Sequence, residues 1–413
     1  MIFCKESASE GDFFTEKEGA GNPMDAPSLW EITRTFLHLG ATAYGGLAMV
    51  EPIRRRIVQE KGWLTQKDFL DGLALCQLVP GATVVQLATY VGFHLRKTKG
   101  ALVAAAAFIL PAFVLMLVIS FLYSRYGELV WVKTVSKGLG PVVIALLVQT
   151  LWWFQEIVRR HWLDAALALS TLGALWGGAN YLAVFLGAGL LRLVLGWKLL
   201  LLPKSAVEET ATSVPNPGLV VTQVIGALTM LAIVVWGLWI VNKQLGLMAL
   251  IFLKIGVIAF GGGYVMIPIL QWDMVDHLGW LTLRQFLDGI LLGFVTPGPI
   301  IITATFIGYW IKGLVGAVVG TVAIFLPPIL LIIFLSPYYI WVKETRWMRP
   351  VIQGILCALV GMLILVVFQM GRASLVNWQS WAIVVGAAAA LLTFRINLLL
   401  VVIGAAGISL LIF

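Results

Sequence analysis

Long apolar runs, separated by short polar stretches, follow one another along almost the whole chain. They are continuous and do not alternate with a period of two residues, which predicts membrane helices and disfavours a transmembrane β-barrel. Several contain glycine or proline, so we expect broken helices among them. The pattern predicts an all-α polytopic membrane protein with about 13 membrane segments. The runs lie near 29–50, 69–93, 101–123, 139–157, 162–178, 181–202, 219–241, 245–270, 286–311, 314–335, 351–370, 378–394 and 396–413.

The composition agrees with this pattern. Hydrophobic residues make up 60% of the 413 residues and charged residues 12%, whereas a soluble domain has about 25% charged residues. Soluble enzymes, nucleic-acid-binding proteins and disordered proteins are therefore disfavoured. The net charge of +8 comes from small basic groups between the apolar runs, as in cytoplasmic loops, and we expect no nucleic-acid partner.

An internal repeat divides the chain into two homologous halves. One extra apolar helix precedes the second copy, which favours inverted repeats of the kind found in secondary transporters. We expect a polar tail at 1–27 with no cleavable signal peptide, a first half at 28–202, a linker plus joining helix at 203–243, and a second half at 244–413. The motifs Phe36-Leu37-x-x-Gly40, Trp63-Leu64-Thr65, Phe69-Leu70-Asp71-Gly72 and Pro80-Gly81 recur as Phe252-Leu253-x-x-Gly256, Trp280-Leu281-Thr282, Phe286-Leu287-Asp288-Gly289 and Pro297-Gly298.

The first candidate binding segment of each half is rich in glycine. It contains Gly45 and Gly46 in the first half, and Gly261, Gly262 and Gly263 in the second. Consecutive glycines weaken a helix and let the backbone approach a ligand closely. Close packing of small residues between helices explains the same pattern. The sequence leaves substrate contact and helix packing equally open.

The second candidate segment of each half contains a Pro-Gly break. Such a segment is predicted to form two half-helices, and the N-terminus of a half-helix offers N–H groups and partial positive charge to a small anion. A structural kink is the alternative, but the repetition beside threonines favours a substrate site. The residues concerned are Pro80, Gly81 and Thr83 in the first half, and Thr296, Pro297, Gly298, Pro299 and Thr303 in the second.

Ionisable residues inside apolar runs are candidates for function. Lys254 is the clearest, and it either pairs with an anion or extends to the membrane interface. Asp71 and Asp288 occupy matched positions before a glycine. We expect them near a helix start, where acids stabilise the helix dipole, with proton coupling as the alternative.

Several chemical signatures are absent from the sequence. It has no G-x-x-x-x-G-K-[ST], H-E-x-x-H or G-x-S-x-G motif, no Cys-x-x-Cys pair and no cluster of metal-ligand residues. The sequence therefore predicts a protein that is not an enzyme and that carries no cofactor or metal.

These motifs together resemble the chromate ion transporter family over nearly all of 28–413. The resemblance depends on F-L-x-x-G-x-x-A-[YF]-G-G, W-L-T-x-x-x-F-L-D-G, the Pro-Gly segments and F-x-L-P, which reads Phe108-Ile109-Leu110-Pro111 in the first half. It differs from the family pattern at Leu47 and Ala82, where first halves usually have proline. It implies a multi-pass secondary transporter of the bacterial inner membrane that exports chromate, a sulfate-like oxyanion. Transport of sulfate or another solute, a channel, and a homodimer all stay open.

Overall fold

The computed structural model describes residues 27–42, 49–127, 129–159, 161–195, 217–258, 266–338, 348–394, 396 and 398–412. Within these ranges the regular structure is entirely helical, as the apolar runs predict. The α-helices of the first half and the joining segment are α1 (Leu29–Thr42), α2 (Val50–Arg54), α3 (Gln66–Leu78), α4 (Thr83–Tyr126), α5 (Val130–Arg159), α6 (Trp162–Trp176), α7 (Tyr181–Leu195) and α8 (Pro217–Val241). Those of the second half are α9 (Lys243–Ile258), α10 (Met266–Gln271), α11 (Leu283–Val295), α12 (Thr303–Leu335), α13 (Met348–Ser374), α14 (Trp378–Leu392) and α15 (Leu398–Ile412). Short π-helices extend α2 (Arg55–Glu60) and α10 (Trp272–His277), and 3-10 turns flank α12 (Ile300–Ile302 and Ser336–Tyr338).

Matched residues start matched helices in the two halves. The hydroxyl of Thr65 accepts a hydrogen bond from the backbone N–H of Asp68 at the start of α3. Thr282 does the same for Gln285 at the start of α11, and the Gln285 side chain accepts from the Thr282 N–H in return. Both helices therefore begin with a side-chain cap that satisfies exposed N–H groups.

Each Pro-Gly segment is the tip of a helical hairpin. A Cβ atom on Gly72 of α3 would lie 2.2 Å from the ring of Tyr90 on α4, although 18 helical residues would span about 27 Å along a straight axis. Gly289 of α11 meets Phe306 of α12 in the same way, at 2.4 Å. The prediction of two half-helices is confirmed at both sites, and the half-helices fold back on each other. The apolar runs at 69–93 and 286–311 are therefore not straight crossings.

A second turn in each half follows the hairpin. Helix α4 turns at Lys97, where φ is 52°, and α12 turns at Gly313, where φ is 58°. The two parts of α4 then pack so closely that a Cβ on Gly92 would lie 2.3 Å from the carbonyl oxygen of Gly100. Beyond these turns run two long arms, 98–126 and 314–335. The first is about 44 Å long, enough to cross a hydrocarbon core of about 30 Å.

Each hairpin tip rests on the long arm of the other half. A Cβ on Gly81 would lie 2.4 Å from Cβ of Pro328, and a Cβ on Gly298 would lie 2.7 Å from Cβ of Ala112. Ala112 is the midpoint of 98–126, and Pro328 lies well within 314–335. The two tips are therefore held between the ends of crossing helices and buried by protein, as broken backbone inside a membrane requires.

Most of the remaining helices pack around α5 and α13. Helix α5 packs against α13, α14 and α15, and α13 packs against α6 and α7. Among the described residues, five helical stretches are long and apolar enough to cross a membrane: Thr83–Tyr126, Thr134–Arg159, Val224–Val241, Ile300–Tyr338 and Pro350–Arg372. Shorter apolar helices (α6, α7, α14 and α15) accompany them. The count of apolar runs therefore does not translate directly into a count of crossings.

The close packing of the second turn yields a stability prediction. A Cβ on Gly308 would lie 2.2 Å from the carbonyl oxygen of Gly316, whereas a Cβ on Gly386 of α14 would meet no atom within 4 Å. We expect Gly308→Ala to lower the free energy of unfolding by about 1–3 kcal/mol through overpacking. Gly386→Ala serves as the control and should unfold at or above the wild-type temperature. Thermal unfolding of the purified protein in detergent measures both, and equal melting temperatures for the two variants would contradict the packing.

Candidate functional site

The first tip is held in shape by Gln86. The backbone at Gly81 has φ 136°, which disfavours any residue with a side chain. The Gln86 side chain is fully buried, and its Nε2 donates hydrogen bonds to the carbonyl oxygens of Pro80 at 2.8 Å and Val79 at 3.4 Å. Its Oε1 is buried and has no hydrogen-bond partner among the described residues. The Gln86 amide thus holds the tip through its Nε2, while its Oε1 remains without a hydrogen bond among the described residues.

Helix α4 starts inside the protein without a side-chain cap. Ala82 precedes the helix with extended backbone and makes no side-chain cap. The first helical bond runs from the N–H of Gln86 to the carbonyl oxygen of Ala82 at 2.9 Å, so the N–H groups of residues 83–85 come before it. Thr83 itself is 3% exposed. A buried helix start of this kind attracts an anion, because its N–H groups and the helix dipole both favour negative charge.

The second tip has the same path but different local bonds. The Thr296 hydroxyl donates to the carbonyl oxygen of Leu292 at 2.7 Å, and Gly298 has φ 111°. A 3-10 turn follows, with the N–H of Ile302 bound to the carbonyl oxygen of Pro299 at 2.9 Å. The Thr303 hydroxyl donates to Ile300 at 2.9 Å. The structure therefore places Pro80, Gly81 and Thr83 at one tip and Thr296, Pro297, Gly298, Pro299 and Thr303 at the other.

Lys254 lies in a network that links the two halves. Its Nζ is 2.8 Å from Oδ2 of Asp273, which also accepts a hydrogen bond from the Tyr181 hydroxyl at 2.9 Å. The ammonium lies 5.0 Å from the centre of the Tyr181 ring. Asp273 is 7% exposed and Tyr181 is 3% exposed. Asp273 therefore already neutralises the charge of Lys254. A further anion can bind Lys254 only if this ion pair opens or if the ammonium donates hydrogen bonds to both anions.

Asp288 differs from the helix-start role expected for it. It is the sixth residue of α11, beyond the first turn that Thr282 and Gln285 cap, so it lies too far along the helix to stabilise the helix dipole. It accepts a hydrogen bond from the Tyr123 hydroxyl at 2.5 Å, and its nearest cation is Arg284 at 3.9 Å. The expected dipole role was therefore wrong for Asp288, whose hydrogen-bond donor Tyr123 belongs to the other half of the chain.

The sequence patterns do not indicate Gln86, Asp273, Tyr181 or Tyr123 as functional residues. Gln86 was detectable as a polar residue within an apolar run, but the partners of the other three are distant in sequence. The glycines Gly45, Gly46, Gly261, Gly262 and Gly263 lie outside the described residues. Within the described ranges, no group of three or more His, Cys, Asp or Glu side chains lies close enough to hold a metal ion.

Comparison with known proteins identifies the family. The family described as chromate transporter matches residues 30–193 and 246–410, one match in each half. The chain belongs to the chromate transporter family. It is 30% identical over 397 residues to an uncharacterized transporter of Methanocaldococcus jannaschii, covering 94% of this chain and 95% of that one. It is 30% identical over 411 residues to a chromate transport protein of Cupriavidus metallidurans, covering 95% of each chain.

A third relative extends the comparison. A chromate transport protein of Pseudomonas aeruginosa is 32% identical over 358 residues, covering 84% of this chain and 81% of the relative. No solved structure matches the chain significantly. Together with the long apolar helices, these relatives establish a multi-pass membrane protein of the chromate transporter family.

The ion pair at Lys254 provides a second stability prediction. Lys254→Met leaves Asp273 charged and buried, and we expect a loss of about 3 kcal/mol, at the low end of the cost of breaking a buried pair, because the lysine side chain is 28% exposed. Lys254→Met combined with Asp273→Asn removes both charges and should recover most of that loss. Thermal unfolding in detergent compares the two. If the double variant is no more stable than Lys254→Met, the Lys254–Asp273 ion pair is not what stabilises the contact between these two side chains.

Proposed function

We propose that the protein is a secondary transporter that exports chromate, a sulfate-like dianion, across the bacterial inner membrane and so confers chromate resistance. The observation that carries the proposal is the uncapped start of α4, buried at a hairpin tip between the ends of crossing helices. A tetrahedral oxyanion without protons only accepts hydrogen bonds, and this tip offers donors. Family membership favours chromate among the oxyanions.

The membrane potential is sufficient to drive such export. A potential of 100 mV, negative inside, is worth about 2.3 kcal/mol for each charge. A dianion therefore gains about 4.6 kcal/mol on leaving the cell, which sustains roughly three decades of outward gradient. The proposed transporter needs no nucleotide hydrolysis, and no coupling ion is assigned.

The proposed substrate site comprises the two hairpin tips and the glycine segments that precede them. Lys254 takes part only in a state in which Asp273 releases it. The proposed members are Gly45, Gly46, Pro80, Gly81, Thr83, Lys254, Gly261, Gly262, Gly263, Thr296, Pro297, Gly298, Pro299 and Thr303. Rocking of one half against the other would expose this site to each side of the membrane in turn.

We also propose that the two halves are inverted in the membrane. The long arm 98–126 starts beside the open end of the first hairpin and runs away from it. Near its far end, Tyr123 binds Asp288 and packs against Phe306 and Trp310, with ring centres 5.3 Å and 5.8 Å away. These three partners lie eight to twelve residues from Gly298, towards the open end of the second hairpin. The contacts support two hairpins that enter the membrane from opposite sides.

Matched cysteines test the inversion. Lys67 and Arg284 are the second residues of α3 and α11 and are exposed. In a background with Cys4 replaced by serine, we expect Lys67→Cys and Arg284→Cys to react with a membrane-impermeant maleimide from opposite sides of the membrane. Right-side-out and inverted vesicles separate the two sides. Labelling of both positions from the same side would exclude inverted repeats.

Transport itself is tested in everted membrane vesicles. Chromate uptake with sulfate, phosphate and molybdate as competitors identifies the substrate class. We expect Gly298→Ala to reduce chromate uptake at least tenfold at an unchanged amount of membrane protein, because alanine resists φ 111° and its Cβ contacts Ala112.

Gly178→Ala is the matched control for this variant. Gly178 also has positive φ, 84°, but a Cβ there meets no atom within 4 Å and it lies between α6 and α7. Normal uptake by Gly178→Ala and lost uptake by Gly298→Ala locate the effect at the tip. Wild-type vesicles that take up none of the oxyanions would refute the proposed function, and normal uptake by Gly298→Ala would refute the site.

A further inference from the structure

The two hairpin tips differ in the hydrogen-bond donors that they leave unused. At the first tip, α4 begins directly at Thr83, so the N–H groups of residues 83–85 precede the first helical bond. Thr83 is 3% exposed, and its hydroxyl is a further donor at this helix start. This tip therefore offers up to four donors in one place.

The second tip uses most of the corresponding groups internally. Pro299 has no N–H, and the 3-10 turn engages the N–H of Ile302. The hydroxyls of Thr296 and Thr303 both donate to backbone carbonyl oxygens of their own segment. Only the N–H groups of residues 300 and 301 precede the first bond of the turn, so the second tip has fewer donors and no available hydroxyl proton.

Gln86 is a further difference between the two tips. Counting back from the matched glycines Gly92 and Gly308 places Ile302 opposite Gln86. The orientation of the amide is fixed, because a flipped amide would direct Oε1 at the carbonyl oxygen of Pro80. Its Oε1 is therefore an unsatisfied acceptor at 0% exposure, a costly arrangement unless a hydrogen-bond donor arrives with the ligand.

We propose that the first tip is the principal oxyanion-binding half of the site and that Gln86 is its positioning residue. The Thr83 hydroxyl and the N–H groups of residues 83–85 donate to the anion. The second tip has Pro299 at the position where the first tip has Ala82, and this proline fixes the shape of the second tip. At the first tip, the hydrogen bonds of Gln86 Nε2 hold the same shape. The Gln86 Oε1 accepts from a water that stays with the anion. This inference rests on the proposed function and assigns unequal roles to the two halves.

The hydroxyl is tested by threonine-to-valine variants that keep the side-chain shape. We expect Thr83→Val to raise the KM for chromate uptake about tenfold or more, with the maximal rate retained, because a hydrogen bond to a charged ligand is lost. Thr303→Val should raise KM less than threefold. Thr89→Val is the control within α4, since its hydroxyl is fully buried and bound to the carbonyl oxygen of Val85 at 2.7 Å.

The positioning role is tested by giving the first tip the residues that the second tip has at the matched positions. Gln86→Ile copies the second half and should raise the KM for chromate about tenfold by releasing the tip. Ala82→Pro added to Gln86→Ile restores a Pro-Gly-Pro tip and should recover most of the affinity. A purely structural role of Gln86 predicts a loss of folded protein that Ala82→Pro does not repair. The amount and melting temperature of each purified variant are therefore measured alongside KM.

The outcomes separate this inference from the proposed function. Wild-type vesicles without any oxyanion uptake would remove the proposed function and this inference together. Wild-type uptake with equal KM values for Thr83→Val and Thr303→Val would overturn the inference alone. So would a Gln86→Ile variant whose KM is unchanged, or one that Ala82→Pro fails to rescue.

Discussion

The structure depends on one constraint, which is that backbone N–H and C=O groups inside a membrane must be satisfied or buried by protein. The chain breaks its helices at Pro80-Gly81 and Pro297-Gly298, and each break rests on the long arm of the opposite half, through Pro328 and Ala112. The duplication therefore has a structural role, because each copy of the repeat shields the broken backbone of the other copy.

The polar side chains of the interior follow from the same arrangement. Tyr123 and Tyr181 belong to the first half, and each donates a hydrogen bond to a buried carboxylate of the second half, Asp288 or Asp273. Charges inside the membrane are costly unless they are paired and hydrogen-bonded. These contacts hold the halves in one relative position, and any alternation of access between the two sides has to rearrange them. Lys254, bound to Asp273, is part of this connection.

Much of the fold could be predicted from local sequence patterns. Apolar runs predicted the helices, the repeat predicted two related halves, and Pro-Gly predicted the broken helices. The sequence could not show that the half-helices fold back, because this depends on Gly72 and Gly289 admitting the rings of Tyr90 and Phe306 across 17 or 18 residues. The sequence shows that the first tip has Ala82 where the second has Pro299, but not which hydrogen-bond donors each tip leaves unused. Their difference depends on whether a threonine hydroxyl reaches its own backbone, a matter of local geometry that composition does not encode.

The proposed oxyanion site lies at the hairpin tips, and Lys254 joins it only in a state in which Asp273 has released it. The most direct measurement is the anomalous scattering of chromium in crystals of the transporter grown with chromate. We expect a chromium peak within hydrogen-bonding reach of the Thr83 hydroxyl and the first N–H groups of α4, with the Lys254–Asp273 pair intact. A peak beside Lys254 with Asp273 displaced, and none at the first tip, would contradict it.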